Sequence, residues 1–492
     1  MNLTMHPTTN APTNRPTTSS SSIARAGMAA ALAVTLATAG CAAPAPPAPG
    51  TAAAGAPPAR SADAAAVEPP VFVPAPVPAT PEARNDARDQ QRRSILDAAW
   101  KLVRDKHYDK TLGGLDWTAV RARYEPLALG APSDAAFYRA LNQMIGELGQ
   151  SHMVISGPGA EEGGSGGAEE AATGSADPGI TVRVIENRPT ITRVRAGSPA
   201  ERAGLLPGFV VTQIAGRDLR LDAPSQRPLR PVEERFALRR RAQQRLMGPA
   251  GTKVSIAYLD NDDHPGQALL LREQPAAAPV ELGYLPSLYP EVRIEQRGDI
   301  AILAFNIFLL QPVMTDIKRA IDGFRERQAR GLIIDLRGNP GGQAAMAIPI
   351  VARLVSEPLT LGTLQFRDFS QVLVARPEMR VVPFSGPVAV LTDEGTASAA
   401  EILAAGLQEA RRAVVVGDVT LGAVLPSVIE ALPGGAVMQY VVADFKTPKG
   451  VLLEGRGVVP DRRVIETRAG LQNGRDPVIE AALVAVKAGG RK

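Results

Sequence analysis

Four short runs in the last two fifths of the chain constrain the fold most. They are "IAILAFNIF", "GLIIDLRG", "GPVAVLTD" and "AVVVGD". Each is apolar at successive positions, not alternate ones, so each must be buried on both faces. Helical segments separate them: "VMTDIKRAIDGFRERQ", "QAAMAIPIVARLVS" and "SAAEILAAGLQEA". Strand–helix alternation of this kind predicts a largely parallel sheet with crossover helices. A later stretch, "VIEALPGGAVMQYVVADF", reads as a hairpin turning at "PGG". The expected architecture is an α/β core over 283–488, built of crossover strand–helix units with an added hairpin.

Residues 84–156 carry a helical period, which predicts a small helical N-terminal domain. Ile95, Leu96, Trp100, Leu102 and Val103 lie on or near one face. Asp116 is placed to cap a short helix. A further helix starts at Ser133 and carries Phe137, Leu141, Met144, Ile145 and Leu148. It runs to Gly149, directly before Ser151 and His152. Residues 157–177 are acidic and Gly-rich and read as a linker. Over 178–282 a strand, "PTITRV", leads through a short helix at "SPAERAG" to a second strand, "FVVTQIAG". An Arg-rich helical stretch and two closing strands, "TKVSIAYL" and "QALLLRE", complete a β-rich unit.

The N-terminal end reads as processing signals. Arg15 and Arg25 precede the apolar run "AGMAAALAVTLATAGC". A stretch that short describes a secretory leader, not a membrane span. Its end, "TAGC", resembles a bacterial lipobox, with Thr38 where a leucine is usual; Cys41 would then be lipidated. The competing reading is ordinary cleavage nearby, after "ATA" or "CAA". Residues 1–41 are therefore read as leader, and the Ala/Pro-rich 42–83 as an extended tether. The expected location is the cell envelope, as a membrane-anchored lipoprotein facing the periplasm, or secreted if the lipobox is false. Cys41 is the one cysteine, so no internal disulfide can form. With four histidines and no cysteine cluster, neither a metal nor another cofactor is expected. A net charge of +4 spread over both signs gives no basic stripe for nucleic acid.

Ser398 follows a predicted strand and opens a helix. There, free N–H groups of the helix start face developing negative charge. Ser398 with Glu401 also reads as a plain capping box. A second Gly-rich turn, "DLRGNPGG", follows the neighbouring strand.

These motifs resemble the C-terminal processing (tail-specific) serine peptidases. The signature "DLRxNxGG" is matched at Asp335, Leu336, Arg337, Asn339, Gly341 and Gly342, and "GTASAAEI" resembles the nucleophile turn around Ser398. Residues 178–282 resemble the PDZ domain of bacterial proteases through "GSPAERAGLLPG", with Phe209 where an acidic residue is usual. The resemblance implies Ser398 as nucleophile, the N–H groups of Gly341 and Ala399 as oxyanion hole, and a structural Asp335–Arg337 pair. Lysine-using members carry their base 25 positions after the serine; here that position is Ala423. The branch similar to the tricorn core protease instead uses a tetrad, and the chain has each part: Ser151, His152, Ser398 and Glu454. His152 would act as general base, with Glu454 orienting it through Ser151. The family usually has an acidic residue before the serine–histidine pair, where Gln150 stands here. Lys446 and Lys449 lie in a polar turn and are read as solvated. Two functions follow. One is an envelope serine endopeptidase acting on protein or peptide substrates, recognised by C-terminus through the PDZ-like unit. The alternative is a catalytically inactive lipoprotein that binds peptides or protein C-termini.

Overall fold

The computed structural model describes residues 81–158, 175–219, 228–284 and 288–489. Cys41, the leader, the tether and most of the linker lie outside the described residues. No described helix is long and apolar enough to cross a membrane.

The first described elements are helices α1 (Pro81–Lys106), α2 (Trp117–Leu129) and α3 (Asp134–Gly146). Asp116 caps α2 by accepting the N–H groups of Thr118 and Ala119, and Ser133 caps α3 through the N–H of Ala136. Ile95, Leu96, Phe137, Leu141, Met144 and Ile145 are all buried in one cluster. α3 stops at Gly146, three residues before the expected Gly149. Gly149 is instead left-handed (φ 65°) in the turn that follows. That turn delivers a short strand, β1 (Val154–Ser156).

A five-stranded antiparallel sheet comes next: β2 (Ile180–Ile185), β3 (Arg188–Val194), β4 (Val210–Ile214), β6 (Lys253–Leu259) and β7 (Pro265–Leu271), in that order. Two-residue β5 (Arg217–Asp218) pairs with β4. The short helix α4 (Pro199–Arg202) is capped by Ser198, and α5 (Pro231–Leu246) packs against β2. Its core gathers Ile191, Val211, Ile214, Ala242, Leu246, Val254 and Ile256.

The last body holds a six-stranded sheet. Four strands, β9 (Ile300–Phe305), β10 (Gly331–Asp335), β13 (Val388–Thr392) and β14 (Ala413–Gly417), run parallel, with β18 (Arg462–Arg463) parallel at one edge. An antiparallel strand, β8 (Val292–Arg297), closes the other edge. Every residue of β9, β10 and β13 is buried, as continuous apolar runs require. The crossover helices are α6 (Val313–Glu326), α7 (Ala347–Ala352) and α8 (Ala399–Glu409); α9 (Arg468–Gln472) and α10 (Pro477–Gly489) end the chain. α6 buries Val313, Met314, Ile317, Ala320, Ile321 and Phe324, one stripe at helical spacing. α10 lays Val478, Ile479, Ala482 and Val486 against Ile302, Ile333, Leu391 and Val416. At roughly 1.5–3 kcal/mol per fully buried aliphatic side chain, this layer is a principal source of stability. The helix expected over "QAAMAIPIVARLVS" is shorter: a single 3-10 turn, Ala344–Met346, leads into six-residue α7. Pro349 lacks an N–H and fits only near a helix start.

Two smaller sheets flank the large one. β11 (Leu359–Phe366) joins β12 (Ser370–Ala375) and β17 (Ala443–Lys446). The "PGG" hairpin forms as expected, β15 (Ser427–Ala431) against β16 (Val437–Val441). Its third strand is β1, with Val154 opposite Gln439 and Ser156 opposite Val437. Thus the strand leaving the helical region completes a sheet of the last body.

Candidate active site

Ser398 sits between β13 and α8 with φ 54° and ψ −122°. A non-glycine residue rarely holds a positive φ, and strain of this kind persists only where the surroundings enforce it. They do so here. Ser398 N–H donates to Ala423 O at 2.8 Å and to Glu401 Oε2 at 3.0 Å. Ser398 and Glu401 stand in capping-box register, with Glu401 N–H donating to the Ser398 carbonyl at 2.8 Å.

Glu401 is fully buried and binds more than Ser398. Thr420 Oγ1, Gly422 N–H at 2.8 Å and Ala423 N–H at 3.0 Å also donate to it. One carboxylate thereby ties the serine turn to the loop 420–423. Burial outweighs these four donors and pushes its pKa up to about 7.

The "DLRGNPGG" turn packs directly against the serine. A Cβ on Gly341 would lie 2.7 Å from Ser398 Cβ and 2.8 Å from Ala399 N, so only glycine fits. Asn339 is buried and stitches the two turns: its Nδ2 donates to Phe305 O at 2.8 Å and its carbonyl accepts Ala397 N–H at 3.0 Å. Its Oδ1 accepts Gly341 N–H at 2.9 Å, so in this structure the donor expected at the oxyanion hole is engaged within its own turn. The Ala399 N–H, at the first position of α8, has no intrahelical acceptor. Among the described residues the N–H of Gly342 also finds no partner. Asp335 and Arg337 pair at 2.7 Å, and Arg337 continues to Glu466 and Asp476; their role is structural, as expected.

Ser151, His152 and Glu454 come together. Glu454 Oε1 accepts Ser151 N–H at 2.8 Å and Oε2 accepts Ser151 Oγ–H at 3.1 Å. Ser151 Oγ lies 2.7 Å from His152 Nδ1. With Glu454 ionised, the one Ser151 hydroxyl proton goes to it; Nδ1 then donates to Ser151 Oγ and Nε2 is left unprotonated. His152 has φ 58°. It keeps some solvent contact, while the protein enclosing the ring pushes its pKa down to about 4. Burial also raises the Glu454 carboxyl, against the pull of its N–H donors.

The two halves share one loop. Val424 N–H donates to Glu454 Oε2 at 3.0 Å, and its neighbour Ala423 accepts Ser398 N–H. The loop at Ala423 and Val424 is thus a backbone bracket between Ser398 and Glu454, and Ala423 has no amine to offer. No hydrogen bond joins His152 to Ser398 in this state. Lys446 lies at the end of β17 and Lys449 in the turn beyond it; neither side chain bonds to these groups. Sequence reasoning missed the reach of Glu401 beyond its own helix end, because its partners there are two N–H groups and a hydroxyl of a distant loop.

One metal-like group occurs among the described residues: Asp260, Asp262 and His264 on the β6–β7 turn, with ligand atoms within 4.8 Å. Asp260 Oδ1 there already accepts the N–H groups of Asp262 and His264. Nothing links it to the serine site.

Comparison with known proteins finds two family matches in the chain. Residues 298–464 match peptidase family S41, and residues 88–146 match the tricorn protease C1 domain. A carboxyl-terminal-processing protease of Synechocystis sp. is 28% identical over 379 residues, 76% of this chain and 81% of that protein. A tricorn protease homolog of Streptomyces coelicolor is 27% identical over 409 residues, 80% of this chain and 32% of that protein. In fold, the chain is similar to the solved photosystem II D1 C-terminal processing protease. The TM-score is 0.50 at 19% identity, covering 76% of this chain and 93% of that one. With a serine held at a strained strand–helix turn inside the matched core, residues 298–464 form a domain of peptidase family S41, and the chain is a serine-type peptidase similar to C-terminal processing proteases.

Proposed function

We propose that this peptidase cleaves peptide bonds through an acyl-enzyme on Ser398 with His152 as general base. The observation that carries this reading is the hydrogen-bond chain from His152 Nδ1 through Ser151 Oγ to Glu454. It leaves Nε2 as the free lone pair, the tautomer a general base needs. Ala423 removes the lysine alternative. His152 Nε2 takes the Ser398 proton as Oγ attacks the carbonyl carbon, then returns it to the leaving amine. Glu454, acting through Ser151, stabilises the imidazolium that forms between those steps. Ala399 N–H, with Gly342 N–H or a re-aimed Gly341 N–H, receives the oxyanion. No step needs a metal or other cofactor.

Residues 178–282 are proposed to act as a PDZ-like module that takes a substrate's C-terminal segment. β2 is an edge strand with α5 packed beside it, and an extended peptide adds to such an edge. The leader and Cys41 support an envelope-anchored enzyme. The inactive peptide-binder reading has no observation in its favour beyond the open His152–Ser398 contact, and such contacts commonly tighten only when substrate binds.

Fluorophosphonate labelling of the full chain tests the mechanism. Labelling is expected for the wild type and lost in Ser398→Ala and His152→Ala. Labelling of His152→Ala at the wild-type rate would exclude His152 as the base.

A further inference from the structure

The turn carrying Ser151 and His152 contains two left-handed residues, Gly149 (φ 65°) and His152 (φ 58°). A strained turn keeps its shape only if both flanks are held. Glu454 holds Ser151. What holds the other flank is a buried cluster that the mechanism does not use.

His107 follows α1 and is fully buried. Its Nε2 lies 2.7 Å from Gln150 Oε1, and its Nδ1 lies 3.1 Å from both the N and the O of Asp109. Both ring nitrogens are therefore engaged. Its ring stacks on Tyr108 with centroids 4.6 Å apart, and its carbonyl accepts Arg367 Nη1 at 2.8 Å. Gln150 Nε2 in turn reaches Tyr108 Oη at 3.4 Å. Gln150 adjoins Ser151, so the imidazole of His107 ends one hydrogen bond and one residue from the relay.

We propose that His107 is a positioning residue for the general base: through Gln150 it fixes the turn 149–152 and so the aim of His152 at Ser398. This rests on His152 being the base. The physical reason is that Gln150 is the turn's link to α1, and a buried donor facing Oε1 gives that amide a single orientation. Without that donor, Gln150 rotates among several partners, the turn relaxes, and Nε2 spends less time near the serine hydroxyl. An ångström of misplacement at this step is enough to slow the chemistry by one or two orders of magnitude.

The test is fluorophosphonate inactivation kinetics of the full chain, separating the maximal rate constant, kinact, from the half-saturation concentration, KI. The variants are His107→Phe, His107→Gln, Gln150→Met and the His107→Phe/Gln150→Met double. His107→Phe keeps the flat ring and the stacking but removes the donor; His107→Gln restores a donor near the Nε2 position. The expected result is a kinact roughly tenfold lower in His107→Phe and in Gln150→Met, with KI unchanged. The double variant should fall no further, because the two residues share one hydrogen bond, and His107→Gln should recover part of the loss. Wild-type kinact in either folded single variant would overturn the proposal. So would additive losses in the double, or a change confined to KI. If His107→Phe fails to fold, Gln150→Met decides alone. His152→Ala is run alongside: wild-type kinact there would remove the base itself, while its loss together with normal kinact in Gln150→Met would remove only the role of His107.

Discussion

Four donors converge on the Glu401 carboxylate, yet burial still holds its pKa at about 7. The unfolded chain ionises this group near its ordinary 4.5, whereas the folded one keeps the proton until about 7. Its contribution therefore favours the fold fully below pH 4.5 and is lost as pH rises through 7. In urea denaturation between pH 5 and 7.5, the wild type should lose stability that Glu401→Gln does not, by up to roughly 3 kcal/mol. Parallel slopes for the two would refute this. His152 has the opposite sign. Its folded pKa lies below the ordinary 6.5, so its contribution is present above 6.5 and lost as pH falls toward 4. The acid limb of kcat/KM should accordingly sit well below pH 6. A limb at 6.5 would mean that the imidazole is more open to water than here. Ser151→Ala leaves His152 Nδ1 and Glu454 each short of a partner. It should lower kcat about ten- to a hundredfold with little change in KM.

At the scale of elements, β1 holds the proposed base, His152, to the last body through its pairing with β16. One side of it pairs with β16. On the other, Asn142 of α3 imitates a strand: its Oδ1 accepts Ile155 N–H at 2.9 Å and its Nδ2 donates to Ile155 O at 2.8 Å. Asn142→Leu would leave both buried backbone groups unpaired, costing about 2–4 kcal/mol. It should also reduce labelling of Ser398 at temperatures where the protein remains folded by circular dichroism; unchanged labelling would show that β1 needs no second edge. The same elements show what the sequence could and could not reveal. The buried strands β9, β10, β13 and β14 were legible because continuous apolar runs admit few other folds. The caps at Asp116 and Ser133 were legible because their chemistry is local. By contrast, β11 and β12 went unread. β8 also escaped: its "VRIEQR" is exposed at nearly every position, as an edge strand can be. β1 is three residues long and has no pattern of its own. Its pairing with β16 across nearly three hundred residues is a tertiary fact, so His152 could be named from a resemblance but not placed by periodicity. The present partner of the Gly341 N–H was hidden for a similar reason. That Asn339 turns its own side chain onto the N–H is invisible in a motif.

Across the whole molecule, buried arginines fasten the antiparallel β-rich body to the catalytic one. Arg183 of β2 meets Asp393 at 3.2 Å, Glu394 at 3.0 Å and Glu466 at 2.9 Å, with little of any of these side chains exposed. From α5, Arg239 reaches Asp393 and Gly338 O, Arg235 reaches Asp418, and Arg230 reaches Leu421 O at 2.7 Å. Three loops around Ser398 are therefore touched by one helix. Removing one member of a buried cluster strands the others, so Arg183→Ala should cost about 3–5 kcal/mol, read as a lower urea midpoint at an unchanged slope. A change below about 1 kcal/mol would mean that water enters and replaces the guanidinium.

The pairing of β1 with β16 has one more consequence. The imidazole belongs to the part of the chain made early, and the serine to the part made late. On the proposed mechanism, a nascent chain holds an inert alcohol and an idle ring until β16 pairs with β1. It cannot digest itself or its neighbours while it is being synthesised, so completing the fold serves as the safety catch.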